Sequence, residues 1–451
     1  MSLLNSDLLY AIFETFYFPP SVIQKRRALR NIEFYRTMLE VGMDPPLPTN
    51  SLLFDCALVC RAWKVPAHKL MRRHLRIKST HQFKYFLSTF QHNPEEGMAV
   101  HSLDFLGWKG QGRSSLDIVR LISRCPNLRT LRVQGVHFAK TYALPEFYFN
   151  TQYLTSLDLG WGYYVSEAAL SVIFRGAPNL RVLAIQGLHS PWTWVDPHAE
   201  EPTPVEPPFC RLEAMVAYEI QTADEFLWTL SSSKDSLKFF SLMGGLTLAG
   251  VEDGNKRLAH LFKDHLQNIV QLSIRELPRF PVAEYCSKLE QLRVFLAIAD
   301  LYRWTWVNIE SQLQESLQAL SHPLRSLIFQ LPSDRTDTYI PFVEGLIQNV
   351  PCLSELEHLG FEMQVDRIRY SVEMRKALKK LITLCDTRNI QFNYPMPDDV
   401  QSSDSDDDSD YESKVRGVIL THSKLFLVVN RSTHPTFFSF YSYSQPQPIL
   451  P

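Results

Sequence analysis

The sequence predicts an α/β solenoid: a parallel concave sheet built from one short strand per repeat, with helices outside it, preceded by a small all-α head. Three observations predict it. A window from Pro126 to His137 (PNLRTLRVQGVH) returns almost verbatim as Pro178 to His189 (PNLRVLAIQGLH), 52 residues on. Midway stands Leu154-Thr155-Ser156-Leu157-Asp158-Leu159, which sets a period of 26 residues. Between the windows, apolar residues fall at helical spacing, as in Ser115 to Ile122 and Ser166 to Phe174, with Ser115 and Ser166 in N-cap position. The end of each window alternates instead. Leu131 and Val133, Leu157 and Leu159, and Leu183 and Ile185 turn one face of a strand inward.

The same apolar frame recurs along the chain, beginning at Val100, Leu128, Leu154, Leu180, Leu212, Leu237, Ile269, Leu289, Leu324 and Leu356. This pattern resembles the leucine-rich repeat, with the family's strand positions carried by Leu128, Leu131 and Val133 and their equivalents. The family's usual Asn or Cys, three residues beyond the last strand position, is replaced here by Val136, Gly162 and Leu188. An irregular leucine-rich-repeat solenoid is therefore expected over residues 98–397. Its variable strand residues would face the concave side, which nominates Thr130, Arg132, Gln134, Ser156, Asp158, Gln186, Arg275 and Arg293 for substrate recognition. Trp161, Trp192 and Trp194 stand on loops at strand ends. They are either interface anchors or caps on the ends of the core.

The head, residues 1–78, carries the functional signal. A helix is expected from Asp7 to about Phe16, capped by Asn5 or Ser6 and stopped by Pro19-Pro20. A polar insert follows at about 18–50. Ser51 to Trp63 then forms a second helix, and a short third one runs from after Pro66 to His74. Leu53, Ala57, Cys60 and, less ideally, Trp63 mark one apolar face of the second helix; Leu58 and Val59 add another direction. A helix apolar nearly all round needs contacts on more than one side, and in a head this small that points to a partner protein.

At these residues the head resembles an F-box. The opening is Leu4-Asn5-Ser6-Asp7-Leu8-Leu9-Tyr10-Ala11-Ile12-Phe13, with Asn5 in place of the family's proline. The second half matches as Ala57-Leu58-Val59-Cys60-Arg61-Ala62-Trp63. Arg73-His74-Leu75-Arg76-Ile77 resembles the sequence that commonly follows in fungal F-box proteins. The resemblance implies docking on a Skp-family adaptor of a cullin–RING ubiquitin ligase, with the repeats holding a protein substrate. It implies adaptor contacts at Leu4, Leu8, Leu9, Ile12, Leu58, Val59 and Trp63. The other reading of these residues is that they form the head's own core.

Composition narrows the rest. The chain has 451 residues, 45% of them hydrophobic, with 46 basic against 48 acidic side chains, so a general nucleic-acid binder is not expected. Seven scattered cysteines favour free thiols in a reducing compartment. The N-terminal stretch contains Asp7 and Glu14 and lacks a basic leader, a poor secretory signal. With no apolar run of membrane-spanning length, the expected location is cytoplasmic and/or nuclear, away from a membrane. Gly107 to Gly112 reads as a turn rather than a phosphate cradle, and Cys56 and Cys60 as apolar residues rather than metal ligands. No enzyme, cofactor or metal is expected. Residues 398–412 are acidic and low in complexity, and 413–451 form a last segment with no acidic residue and no assigned role. The function expected is a substrate receptor of a ubiquitin ligase. The alternative is a non-catalytic leucine-rich-repeat scaffold without ligase association.

Overall fold

A computed structural model describes residues 6–17, 51–105, 115–133, 151–159, 167–185, 209–217, 228–242, 263–274, 285–295, 306–330, 336–362 and 372–393. The insert at 18–50, the acidic stretch and the C-terminal segment lie outside them.

Among the described residues of the head are three helices: α1 (Ser6–Tyr17), α2 (Ser51–Val59) and α3 (Arg61–Arg73). Their shared core is Leu9, Phe13, Leu53, Ala57, Ala67 and Leu70, against which Tyr10, Ile12, Cys56, Trp63 and Met71 pack. The break between α2 and α3 falls at Cys60, in extended conformation (φ −162°, ψ 168°), and not at Pro66 as the sequence implied. Pro66 lies inside α3, whose thirteen residues run on through it. Pro66 has no amide to donate to the carbonyl four residues earlier, that of exposed Ala62.

No linker separates head from repeats, because α3 leads directly into strand β1 (His74–Arg76). Helix α4 (Thr80–His92) follows, closed by a reciprocal cap. Gln82 N–H donates to Ser79 Oγ (3.2 Å), and Lys78 N–H donates to Gln82 Oε1 (2.9 Å). Next come α5 (Pro94–Met98), β2 (Ser102–Asp104), α6 (Ser115–Ser123), β3 (Thr130–Arg132), β4 (Ser156–Asp158), α7 (Glu167–Gly176) and β5 (Val182–Ile185). Strands β6 (Ala214–Ala217), β7 (Phe239–Leu242), β8 (Gln271–Ile274) and β9 (Gln291–Phe295) continue the series. Helix α8 (Trp306–Gln318), β10 (Ser326–Gln330), α9 (Thr336–Asn349), β11 (His358–Glu362), α10 (Val372–Thr387) and β12 (Gln391–Asn393) complete it.

All twelve strands form one sheet in sequence order, and every adjacent pair is parallel. This is an α/β solenoid of the leucine-rich-repeat kind. Each of the ten frame residues sits two positions before a strand, and all ten are buried. The register keeps Leu75, Leu103, Leu131, Leu157, Leu183, Met215, Phe240, Leu272, Leu292, Leu327 and Leu359 in one row against the helices. Fully burying one such side chain contributes about 1.5–3 kcal/mol. A single core runs from Leu75 to Ile390.

The turns carry a ladder of their own. Asn127 Nδ2 donates to Met98 O (2.8 Å), Asn179 Nδ2 to Gln152 O (2.7 Å) and Asn268 Nδ2 to Lys234 O (3.3 Å), each reaching the turn of the preceding repeat. These amides precede the strands by three residues, at the opposite end from the position where the family resemblance placed an asparagine. Gly97 is required by packing, since a Cβ there would stand 2.1 Å from the backbone oxygen of Arg124. Asn389 (φ 58°) ends α10 in the left-handed region, and Ile390 N–H donates back to Cys385 O (2.8 Å).

Candidate protein-interaction surfaces

The head has two kinds of apolar residue. Leu9 is 2% exposed and belongs to the core, and Trp63 meets Phe13 edge to face with ring centroids 5.2 Å apart. Both were expected as adaptor contacts or as part of the head's own core; Leu9 is in that core and half-buried Trp63 packs against it, joining α1 to α3. Ile12 is half-buried against the same core. Leu8, Leu58 and Val59 point outward, exposed by 50%, 70% and 62%, and Val65, which the sequence reading did not single out, by 66%. Leu4 lies outside the described residues. From Leu58 to Val65 only Trp63 is not exposed, so the α2–α3 junction presents Leu58, Val59, Ala62 and Val65 together with Arg61 and Lys64. Cys60, between the two helices, is extended and exposed.

The head is fastened to the first repeats by α3. Arg73 Nε donates to His101 Nδ1 (2.9 Å), and Arg73 Nη1 donates to Tyr10 Oη (3.3 Å). Arg72 pairs with Glu96 (2.6 Å), and Lys69 Nζ stands 5.4 Å from the centre of the Tyr10 ring. One arginine thus spans α1 and the second repeat. These contacts tie the head's helices to the first repeats.

On the sheet, the face opposite the helices carries a row whose character changes along the chain. Its first four members alternate in sign: Arg76, Asp104, Arg132, Asp158. Arg76 Nε donates to Asp104 Oδ2 (3.0 Å) and Arg132 Nε to Asp158 Oδ2 (2.7 Å). In the second pair both side chains are only 4% exposed. The middle of this face is apolar, with Val182, Ala184, Ala214, Val216 and Phe239 forming a buried cluster separate from the main core. That is why β5 (VLAI) and β6 (AMVA) read as unbroken apolar runs, the pattern of strands covered on both faces. Beyond them the row continues as Ser241, Ser273 and Arg293, all buried. Ser241 Oγ, Ser273 Oγ and Gln271 Oε1 have no hydrogen-bond partner among the described residues, while Gln271 Nε2 donates to Gln291 Oε1 (2.5 Å).

These positions change the expected recognition surface. Arg132, Ser156, Asp158 and Arg293 are each no more than 4% exposed. They sit on the predicted face of the sheet, but enclosed in it, and Arg132 and Asp158 are committed to each other. Thr130 is half-exposed and remains reachable. Gln134, Trp161, Gln186, Trp192, Trp194 and Arg275 lie outside the described residues.

The chain's thiols divide the same way as its apolar residues. All seven cysteines are free; Cys60 is exposed and Cys56 half-buried. Burial pushes the thiols of Cys125 and Cys210 up to about 12 and that of Cys352 to about 11. Burial, with Asp386 adding to it, raises Cys385 to about 12. Cys286 is raised further by burial. Among the described residues no group of three or more His, Cys, Asp or Glu is placed to hold a metal ion. Nor is any helix among them long and apolar enough to cross a membrane.

No protein-family model matches the chain, and no curated protein matches it. Sixteen chains of solved structures do. One is the leucine-rich-repeat-containing protein LegL7 from Legionella pneumophila, at 13% identity and a TM-score of 0.41, over 76% of this chain and 97% of that one. Another is TLR13 in its complex with ssRNA13, at 12% identity and a TM-score of 0.29, over 66% of this chain and 42% of that one. The leucine-rich-repeat assignment rests on the strand ladder itself.

Proposed function

We propose that this chain is a protein-interaction scaffold working as the substrate receptor of a cullin–RING ubiquitin ligase. Its head docks on a Skp-family adaptor and its repeats hold a protein substrate. The observation that carries the reading is the exposure of Leu8, Leu58, Val59 and Val65 beside a head core that is already closed without them. Three of the four lie in the segments that resemble an F-box, and none of them is among the core residues described for the head. The chain's contribution is orientation and effective concentration, with the covalent chemistry done by other subunits. The short passage from α3 to β1, braced by Arg73, supports this division of labour, because it transmits a fixed geometry from adaptor to sheet.

The test is size-exclusion chromatography and calorimetry of the full chain with a Skp-family adaptor. One-to-one binding is expected, and it is lost in Leu58→Asp/Val59→Asp while the circular dichroism spectrum stays unchanged. A folded chain that binds no adaptor contradicts the ligase assignment and leaves the repeat scaffold alone.

A further inference from the structure

The apolar surface at the α2–α3 junction is set in an unbalanced electric field. Helix α3 carries Arg61, Lys64, Lys69, Arg72 and Arg73 and no acidic residue. Three of these cations are occupied: Lys69 over Tyr10, Arg72 on Glu96, and Arg73 on His101 and Tyr10. Arg61 and Lys64 are exposed and have no ion-pair partner among the described residues. They stand directly among Leu58, Val59 and Val65. The field is felt locally at His68, whose imidazole is held below its ordinary value by burial first and then by Arg72 and Lys64. The only acidic side chain near this stretch in sequence is exposed Asp55, on the preceding helix.

We infer that the partner covering this surface is a protein whose apolar groove is bordered by carboxylates, so that Arg61 and Lys64 meet acidic side chains at its rim. This rests on the adaptor reading and adds to it the chemistry of the adaptor face. An apolar centre with a charged rim divides the work. The centre supplies burial, and the rim supplies register, discrimination against basic surfaces and a faster encounter that salt screens. A basic rim would instead repel the two cations and slow the encounter.

The experiment measures adaptor binding to the full chain between about 50 and 500 mM salt, a range over which screening lengths fall severalfold. The proteins compared are the unaltered chain, Arg61→Glu/Lys64→Glu and the charge-preserving Arg61→Lys/Lys64→Arg. Charge reversal is expected to weaken binding by about tenfold or more at the lowest salt, mostly through slower association. The difference shrinks as salt rises, and the charge-preserving variant binds like the parent. Thermal unfolding of both variants checks that the head is intact. If the unaltered chain binds but charge reversal and salt change nothing, the acidic rim is refuted while the adaptor reading stands. If the unaltered chain does not bind at all, both fall.

Discussion

Head and solenoid treat the same residue types in opposite ways. In the solenoid, Arg132 finds Asp158 one repeat away and both vanish into the sheet. In the head, Arg61 and Lys64 are exposed and have no ion-pair partner among the described residues. The frame leucines of the solenoid are buried to the last one, whereas Leu58 and Val59 of the head are mostly exposed. The first repeats satisfy themselves by translation: Arg76 meets Asp104, and Arg132 meets Asp158, at the same position of the next repeat. The described helices of the head have no next repeat, and on the function proposed above the adaptor completes their second apolar face.

Breaking the solenoid's self-sufficiency should have the largest effect on stability. Leu157→Ala removes a fully buried side chain from the middle of the leucine row and is expected to cost about 3 kcal/mol, read by denaturant unfolding. Asp158→Ala removes the buried Arg132 Nε to Asp158 Oδ2 bond and is expected to cost about 2–3 kcal/mol. Asp158→Asn is milder, because the amide oxygen still accepts from the guanidinium. If Asp158→Ala proves neutral, the charged row contributes nothing to the fold. Asn127→Ala should cost only about 1 kcal/mol, the loss of one amide to Met98 O.

Much of the solenoid was legible in the sequence for a physical reason. Parallel strands stacked without closure must repeat their inward residues at the repeat length, so the frame beginning at Leu128 or Leu324 is also a statement about burial. The two edge strands escaped because Arg72 and Asn389 occupy the frame position before β1 and β12, where there is no full repeat to cover an apolar side chain. The ion pairs were equally readable in principle. Asp104, Arg132 and Asp158 are one repeat apart, so the spacing that predicts strands also predicts which charges meet. The asparagine ladder was visible as the Pro-Asn-Leu of the repeated window, but its amides bond in the turn before the strand. In the head, periodicity has only a few helical turns to act on. It marked Leu53 and Ala57 as inward but not the break at Cys60, because residues 57–63 alone do not tell one helix from two.

The thiols sharpen the comparison at the smallest structural cost. At pH 8 the folded chain is expected to react with a thiol reagent at Cys60 and more slowly at Cys56, and at all seven cysteines once unfolded. The four thiols held at about 11–12 bind protons in the folded state that the unfolded chain releases from about pH 9 upward. Their contribution to stability is therefore complete below that pH and declines as pH rises toward 12. Rapid modification of Cys125 or Cys210 in the folded chain at pH 8 would contradict the burial described.

Cys60 also lies inside the surface that the account assigns to a second protein, between Val59 and Arg61. The most direct measurement is its alkylation rate in the full chain, followed by mass spectrometry with and without saturating Skp-family adaptor. The account predicts that the adaptor slows modification of Cys60 by about tenfold or more, as burial of a reactive thiol does. An unchanged rate at Cys60 in a complex shown to have formed would place the adaptor elsewhere and contradict the central claim.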